Sequence, residues 1–280
     1  MSIKLYIKRG LQYILHGTPN IYVTASISYL SPNNRLKGKR IIITGGGRGL
    51  GKAMAEKFIS EGAQVLISGR TEKTLKEVSE QLGCQYLVYD VCDVSTANLF
   101  IEKANQLLGG INVLVNNAGI SLHEWDIANV SIEQFNQQIN TNLRGGYFLT
   151  QKFLETIRNN KTPNANILFI SSERGIQTDD IPYGLTKAAI NSLVEGLAPK
   201  LIKENIRINA VAPGITTSDM TGFKKEGNLY YKGNPNHRVY LPEEVAEVAT
   251  FLISDASSCV SGQIIVCNEG KTGNSRYMYQ

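Results

Sequence analysis

The fold is decided by residues 40–51, Arg40-Ile-Ile-Ile-Thr-Gly-Gly-Gly-Arg-Gly-Leu-Gly51. The β-branched run is typical of a buried strand, and the glycines after it let backbone N–H groups approach a phosphate without a Cβ in the way. Apolar positions between Ala53 and Ile59 predict a helix, and Val65-Leu66-Ile67-Ser68 is typical of a second strand. Strand, glycine turn, helix and strand form a βαβ unit, which places a phosphate at the N-terminus of its helix.

The end of the second strand indicates which dinucleotide such a unit binds. A site for NAD usually has an acidic residue there, which hydrogen-bonds the ribose 2′-hydroxyl. This chain has Gly69, followed by Arg70 and Thr71, and another arginine, Arg48, inside the glycine loop. Two guanidinium groups and no carboxylate suit a 2′-phosphate, which arginine binds through paired charge-assisted hydrogen bonds. The sequence therefore favours NADP(H) over NAD(H); the alternative is that both arginines are solvated surface charges.

A second pattern lies near residue 185. Tyr183 and Lys187 are four residues apart, so they share one face of a helix if Ala188, Ala189 and Leu193 continue it. A cation beside a phenol favours the phenolate and lowers the phenol's pKa toward the working range. Alone, this spacing is weak evidence, because solvated helix faces often contain it by chance.

Together these patterns resemble the short-chain dehydrogenase/reductase family, in its form with a Thr-Gly-x-x-x-Gly-x-Gly loop. The resemblance covers residues 37–270, and several separate motifs stand in the family's order. Besides the glycine loop and the Tyr183–Lys187 pair, the matching segments are Asp90-Val91, Asn116-Asn117-Ala118-Gly119, Asn142-Leu143-Arg144-Gly145, Ser171-Ser172 and Pro213-Gly214-Ile215-Thr216-Thr217-Ser218. The resemblance implies an α/β, Rossmann-like, doubly wound parallel sheet in a single domain.

The resemblance also implies a role for individual residues. Tyr183 is implied as the proton donor, Lys187 as the cation beside it, Ser172 as the hydrogen-bond donor to the substrate oxygen, and Asn142 as the holder of a water next to the lysine. The implied cofactor-binding residues are Thr44, Gly45, Gly47, Arg48, Gly49, Leu50, Gly51, Arg70, Thr71, Asp90, Val91, Asn117, Ala118, Gly119, Tyr183, Lys187, Pro213, Gly214, Ile215, Thr216 and Ser218.

The chain departs from the family pattern in two places. The segment between Ser172 and Tyr183 is about two residues shorter, which affects one wall of the substrate site. The last predicted strand continues into Asn268-Glu269-Gly270, where the family usually has Asp-Gly-Gly. Residues 216–240 are long and polar, and we expect them to form the substrate lid.

The implied function is an NADP(H)-dependent oxidoreductase that interconverts a carbonyl and a secondary alcohol. Polar residues beside the predicted site and in the lid suggest a polar small molecule such as a sugar or polyol; they are Glu173, Arg174, Gln177, Asp179, Asp180, Lys224, Lys225, Tyr230, Tyr231, Lys232 and His237. One alternative is an enzyme like the 3-oxoacyl-[acyl-carrier-protein] reductases. Another is a non-catalytic NADP-binding sensor or scaffold, because fold alone does not exclude the loss of chemistry.

Length and composition fit one α/β domain with an appendage. The 280 residues are 42% hydrophobic and 19% charged, as in an ordinary globular protein. We expect a basic, partly amphipathic N-terminal arm in residues 1–36 and the catalytic domain in residues 37–280. The long helices predicted for residues 132–157 and 183–202 carry more apolar positions than one buried face needs, and with the resemblance this predicts a homo-oligomer, namely a tetramer.

Charge is concentrated in the first forty residues. They contain seven lysines and arginines and no acid, and because the whole chain carries +5, the rest carries −2. We therefore expect no nucleic-acid partner, and contact with a membrane surface only through the arm. Cys84, Cys92, Cys259 and Cys267 have no Cys-x-x-Cys spacing, which fits a reducing cytoplasm. Three histidines far apart in sequence predict no metal site.

Overall fold

The structure is a computed structural model, and it describes residues 22–24 and 34–272. The described residues form a seven-stranded parallel sheet in the order β3-β2-β1-β4-β5-β6-β7. The strands are β1 (Arg40–Thr44), β2 (Gln64–Gly69), β3 (Gln85–Val88), β4 (Val113–Asn116), β5 (Asn166–Ile170), β6 (Arg207–Pro213) and β7 (Ile264–Cys267). This arrangement confirms the predicted doubly wound α/β fold.

Helices connect the strands and cover both faces of the sheet. They are α1 (Gly49–Ser60), α2 (Glu72–Leu82), α3 (Ala97–Leu107), α4 (Ile132–Gln138), α5 (Gly145–Asn159), α6 (Pro182–Leu201) and α7 (Pro242–Ile253). Helices α1, α2 and α7 pack on one face, and α3, α5 and α6 pack on the other. Among the described residues, no helix combines the length and the apolar character that crossing a membrane requires.

Successive side chains of each strand point to opposite faces of the sheet, and this alternation produces two hydrophobic cores, one on each face. In β1, Ile42 faces the core with α3, α5 and α6, while Ile41 and Ile43 face the core with α1, α2 and α7. All three side chains are fully buried. Because successive strand residues point to opposite faces, a strand covered on both sides must be apolar throughout.

The single helix predicted for residues 132–157 is interrupted. A π-helical segment, Ile139–Arg144, separates α4 from α5, and the N–H of Gly145 donates to the carbonyl of Asn140, five residues earlier. Helix α5 then starts against the chain after β3: a Cβ on Gly145 would lie only 2.5 Å from the carbonyl oxygen of Val91. Extra residues of this kind inside a helix often accompany functional sites, because they rotate the side chains that follow.

Residues before Lys37 contribute to the core of the domain. Leu36 is fully buried in the core, and Arg35 pairs with the buried carboxylate of Glu61 and with Glu247. Lys57 completes this group, with its Nζ 3.0 Å from Glu61 and 2.5 Å from Glu247. Residues 34–36 are therefore part of the domain, while residues 1–21 and 25–33 of the expected arm lie outside the described residues.

Residues 216–240, the expected lid, have a small hydrophobic core and backbone hydrogen bonds of their own. Leu229, Val239 and Leu241 build a small core of their own, separate from the two main ones. Backbone bonds join its layers: the N–H of Val239 donates to Leu229, and that of Tyr240 donates to Ile215. The described arm residues extend this ladder, because the N–H of Leu229 donates to the carbonyl of Val23 at 3.0 Å. The backbone thus links arm, lid and the segment after β6.

Candidate active site

The strand order reverses between β1 and β4, and the predicted nucleotide residues meet there. Thr44 ends β1, and its hydroxyl accepts hydrogen bonds from the backbone N–H groups of Asn117, at 3.0 Å, and Ala118, at 3.1 Å. The amide of Asn117 donates to the carbonyls of Thr44 and Gly45 at 2.9 and 3.0 Å. These bonds hold the turns after the two strands together at the crevice where open α/β sheets bind their ligands.

The glycine loop fits a pyrophosphate. Gly45 has a positive φ of 67°, and a Cβ there would lie 3.0 Å from Ala118. A Cβ on Gly51 would lie 2.2 Å from the carbonyl oxygen of Gly45, so only glycine lets the helix start this close to the loop. Helix α1 has no side-chain cap and no acidic residue in its first turn. Its N-terminal N–H groups and dipole are therefore available to an anion.

The predicted 2′-phosphate residues lie at the rim of this loop. Arg48 is largely exposed, and its Nη1 is 3.2 Å from a carboxylate oxygen of Asp219, a lid residue. Arg70 and Thr71 are also exposed, just after β2, whose last residue is Gly69. On the adenine side, Asp90 accepts a hydrogen bond from the N–H of Cys92 at 2.9 Å, and Val91 is buried.

Ser172 lies two residues beyond the end of β5, within a tight turn. Its hydroxyl oxygen accepts the backbone N–H of Arg174 at 3.2 Å, and its carbonyl accepts that of Gly175 at 2.9 Å. The turn lies directly on α6, because a Cβ on Gly175 would be 2.7 Å from the backbone of Lys187. The Ser172 hydroxyl is therefore fixed in place, on the side of the turn that packs against α6.

Tyr183 and Lys187 lie in the first turns of α6, and the predicted helix is confirmed. The Lys187 ammonium is 5.6 Å from the centre of the Tyr183 ring, and it donates to the carbonyl of Ile170 at 2.8 Å. Lys187 is only 4% exposed. Burial lowers its pKa from 10.5 to about 8, because a low-dielectric surrounding disfavours the charged form.

The pKa of Tyr183 differs from the expectation. Burial raises it above the usual value of 10; the hydrogen bond from Ser172 and the charge of Arg174 oppose this shift. The sequence argument predicted a lowered pKa because it counted the cation and left out the cost of burying a phenolate. In this structure Tyr183 is a protonated phenol at neutral pH, which is the state that a proton donor needs.

Asn142 lies in the π-helical segment and is 4% exposed. Its carbonyl oxygen accepts the N–H of Ile120 at 2.8 Å, and its amide donates to the carbonyl of Ile120 at 2.9 Å and to Thr186 at 3.3 Å. The side chain thus fixes the segment after Gly119. A cavity of about 10 Å³ lies there, lined by Thr44, Asn116, Thr141, Asn142 and Lys187 among others.

The predicted nicotinamide loop follows β6. Pro213 and Thr216 are buried, and Gly214 packs so closely that a Cβ there would lie 2.7 Å from the Tyr240 ring. Ile215 accepts the N–H of Tyr240, while Ser218 bonds with Thr221 at 3.2 Å. The loop is therefore fixed by the lid on its far side.

Sequence reasoning assigned several polar residues to the substrate, and three of those beside Ser172 form internal contacts instead. Arg174 forms a paired salt bridge with Asp179 at 2.5 and 2.6 Å, and Asp179 accepts the N–H of Ile181 at the start of α6. Glu173 is 6% exposed and pairs with Lys271. No motif indicated these pairs. Glu173 and Lys271 are far apart in sequence, and Arg174 and Asp179 lie in the segment between the Ser172 and Tyr183 motifs. Gln177 and Asp180 remain exposed.

Within residues 22–24 and 34–272, no group of three or more histidine, cysteine or acidic side chains could hold a metal ion. The four cysteines are free thiols.

Comparison with known proteins agrees with this geometry. A family model described as Enoyl-(Acyl carrier protein) reductase matches residues 45–272. One relative is the 3-oxoacyl-[acyl-carrier-protein] reductase FabG of Aquifex aeolicus (strain VF5), 33% identical over 246 residues that cover 84% of this chain and 98% of that protein. Another is the L-fucose dehydrogenase of Bos taurus, 30% identical over 261 residues that cover 88% of this chain and 94% of that protein.

A solved structure described as "Crystal structure of gox2181" has a TM-score of 0.78 at 28% identity, and the match covers 85% of this chain and 97% of that one. The fold, the crevice and the order of the motifs agree with these matches. The chain therefore belongs to the short-chain dehydrogenase/reductase family, whose members are oxidoreductases that use a nicotinamide cofactor.

Proposed function

We propose that this protein is an NADP(H)-dependent oxidoreductase that interconverts a carbonyl and a secondary alcohol on a polar small molecule such as a sugar or polyol. The observation that carries the proposal is the arrangement of Ser172, Tyr183 and Lys187 beside the switch point of the sheet. The Ser172 hydroxyl is close enough to Tyr183 to oppose the rise in its pKa, and the Lys187 ammonium lies 5.6 Å from the centre of the Tyr183 ring. A substrate oxygen that meets both hydroxyls receives a hydrogen bond from each.

When bound, the nicotinamide supplies the hydride in reduction or accepts it in oxidation. The residues of this chain handle the proton. Tyr183, protonated at neutral pH, donates its proton to the oxygen of the substrate as negative charge develops there. Ser172 stabilises the same charge by a hydrogen bond that strengthens toward the transition state. Lys187, charged below its pKa of about 8, stabilises the phenolate that remains.

Replacement of that proton needs a path inward from Tyr183. The small polar cavity behind Lys187 lies on that side, and its volume is close to that of one water. Asn142 lines this cavity together with Lys187 and holds Ile120 in place. Its proposed part is to hold the water through which the proton is replaced.

NADP(H) is favoured by charge at the rim of the glycine loop. Arg48 and Arg70 are exposed there, and β2 ends in glycine without an acid at its last position. A 2′-phosphate placed between two guanidiniums gains charge-assisted hydrogen bonds, whereas the 2′-hydroxyl of NAD has no carboxylate there to accept its hydrogen bond.

The exposed surface of α5 and α6, including Tyr147, Phe148 and Leu185, supports a homo-oligomer, and we propose a tetramer. The free thiols support a cytoplasmic location.

The deciding experiment measures NADPH consumption against a panel of sugars, polyol-derived ketones and other carbonyl compounds, with Tyr183→Phe as the matched variant. We expect turnover in the wild type, loss of at least a hundredfold in Tyr183→Phe, and unchanged NADPH affinity. Tyr22→Phe removes an exposed phenol in the arm and serves as the control. Near-full activity of Tyr183→Phe would show that the proton comes from elsewhere.

A second candidate is a 3-oxoacyl-[acyl-carrier-protein] reductase-like enzyme, which the relative from Aquifex aeolicus favours. Acetoacetyl thioesters in the same panel separate it from the sugar or polyol proposal. A non-catalytic NADP-binding sensor is the third possibility, and it predicts tight NADPH binding without turnover of any compound in the panel.

A further inference from the structure

A buried carboxylate stands directly beside the catalytic serine. Glu173 follows Ser172 and is 6% exposed. One of its carboxylate oxygens accepts a hydrogen bond from the amide of Asn268 at 3.0 Å, and the other accepts from the ammonium of Lys271 at 2.8 Å. Both partners come from the segment after β7. Removing a carboxylate from water is costly, so this position depends on those two donors.

Lys271 also contacts the lid. Its Nζ donates to the side-chain oxygen of Asn234 at 3.3 Å and lies 5.9 Å from the centre of the Tyr231 ring. Asn234 is 2% exposed, and its amide donates to the carbonyl of Arg238 at 2.6 Å. The N–H of Tyr231 donates to His237, which closes the turn around Asn234. Lys271 therefore contacts the turn around Asn234 in the lid.

The backbone of Glu173 is equally restricted. It opens the short turn Glu173–Gly175, in which the Ser172 hydroxyl accepts the N–H of Arg174. Ser171 bonds Asn191 at 2.7 Å, and Asn191 donates to the carbonyl of Gly175 at 3.0 Å, so the turn is tied to α6 on the other side. A displacement of the Glu173 side chain is thus transmitted to Ser172, the adjacent residue.

We propose that Glu173 is a positioning residue, and that Glu173 and Lys271 form a latch which holds the lid over Ser172. The lysine is the connecting part: one ammonium bonds both the carboxylate beside the catalytic serine and the buried asparagine of the lid. The latch joins the turn that carries Ser172 to the lid, and the lid also contacts the loop after β6, because the N–H of Tyr240 donates to Ile215. The effect on turnover rests on the function proposed above; the effect on the lid does not.

Hydrogen exchange measured by mass spectrometry tests the latch in the full chain with NADPH present. The variants are Lys271→Met, which removes the ammonium and keeps an unbranched side chain, and Glu173→Gln. Lys271→Arg is the conservative variant, and Glu204→Gln is the matched control, because Glu204 pairs with Arg158 on the surface. Lys271→Gln replaces Lys271→Met if the latter does not fold.

We expect lid amides in residues 228–240 to exchange at least tenfold faster in Lys271→Met and in Glu173→Gln than in the wild type or in Glu204→Gln. Lys271→Arg restores most of the protection. NADPH affinity stays within twofold, while kcat on a substrate found by screening falls at least tenfold and KM rises. In the double variant Glu173→Gln/Lys271→Met, both substitutions remove the same salt bridge. The increase in lid exchange is therefore smaller than the sum of the increases in the two single variants.

The outcomes separate this proposal from the proposed function. Unchanged lid exchange in Lys271→Met overturns the latch. So does faster exchange throughout β4 and β5, since that result means a general loss of stability. A looser lid with unchanged kcat and KM overturns the positioning of Ser172. If no compound is turned over by the wild type, the proposed function fails, and lid exchange still decides whether the latch exists.

Discussion

The buried ammonium of Lys187 should lower the free energy of unfolding. A pKa lowered from 10.5 to about 8 means that, near pH 7, the folded protein holds this ammonium at a cost of about 3 kcal/mol relative to the unfolded chain. Lys187→Met removes the charge and keeps most of the stem. It also leaves the carbonyl of Ile170 without its donor, which costs about 1–2 kcal/mol. We therefore expect a net gain of about 1–2 kcal/mol and a rise in Tm of about 2–8 °C.

The pH dependence gives a sharper test because its sign is fixed. The pKa of Lys187 is lower in the folded state than in the unfolded state. Between pH 8 and 10.5 the unfolded chain therefore binds more protons, and the wild type gains stability from this group as the pH rises. We expect the advantage of Lys187→Met to shrink by about 2 kcal/mol between pH 7 and pH 9.5.

Urea denaturation of the protein without added cofactor, at both pH values, measures this difference. Lys103→Met, at an exposed position on α3, is the control and should change stability by less than about 0.5 kcal/mol at either pH. A gap between Lys187→Met and wild type that does not depend on pH would refute the reasoning, even if the variant were more stable. The same variant should have lost its catalytic activity.

Three other expectations follow from the site and its surroundings. Arg70→Ala should weaken NADPH binding by about 1–3 kcal/mol and leave NADH binding unchanged, as isothermal titration would show; equal wild-type affinities for the two cofactors would remove the basis for NADP preference. Asp219→Asn should tighten NADPH binding a few-fold, because Arg48 then has no competing carboxylate, and a weaker affinity would contradict that competition. Light scattering at micromolar concentration should show a homo-oligomer, and a monomer would refute the assembly proposal.

The sequence was sufficient for the sheet because local patterns determine it. Ile41, Ile42 and Ile43 are buried on both faces of the sheet, so all three had to be apolar, and the strand begins and ends where the sequence predicts. Likewise Tyr183 and Lys187 are related by helix geometry alone, and α6 brings them together as the spacing requires.

The parts that sequence reasoning missed depend on contacts between distant segments. The pairing of Glu173 with Lys271 joins residues 98 positions apart, and no pattern around either residue indicates it. The pKa of Tyr183 depends on how much water the fold removes, which periodicity does not reveal. The interruption before α5 ends where Gly145 lies close to Val91, a contact between distant segments that the local pattern does not reveal.

The hydrogen bonds of Val23 give the lid a second point of attachment. The N–H of Leu229 donates to the carbonyl of Val23 at 3.0 Å, and the N–H of Val23 donates to the side-chain oxygen of Asn228 at 3.1 Å. Lys271, from the opposite end of the described chain, bonds Asn234 in the same lid. Segments from both ends of the sequence therefore meet on the lid, and a movement of residues 228–234 has to break these bonds or carry both segments along.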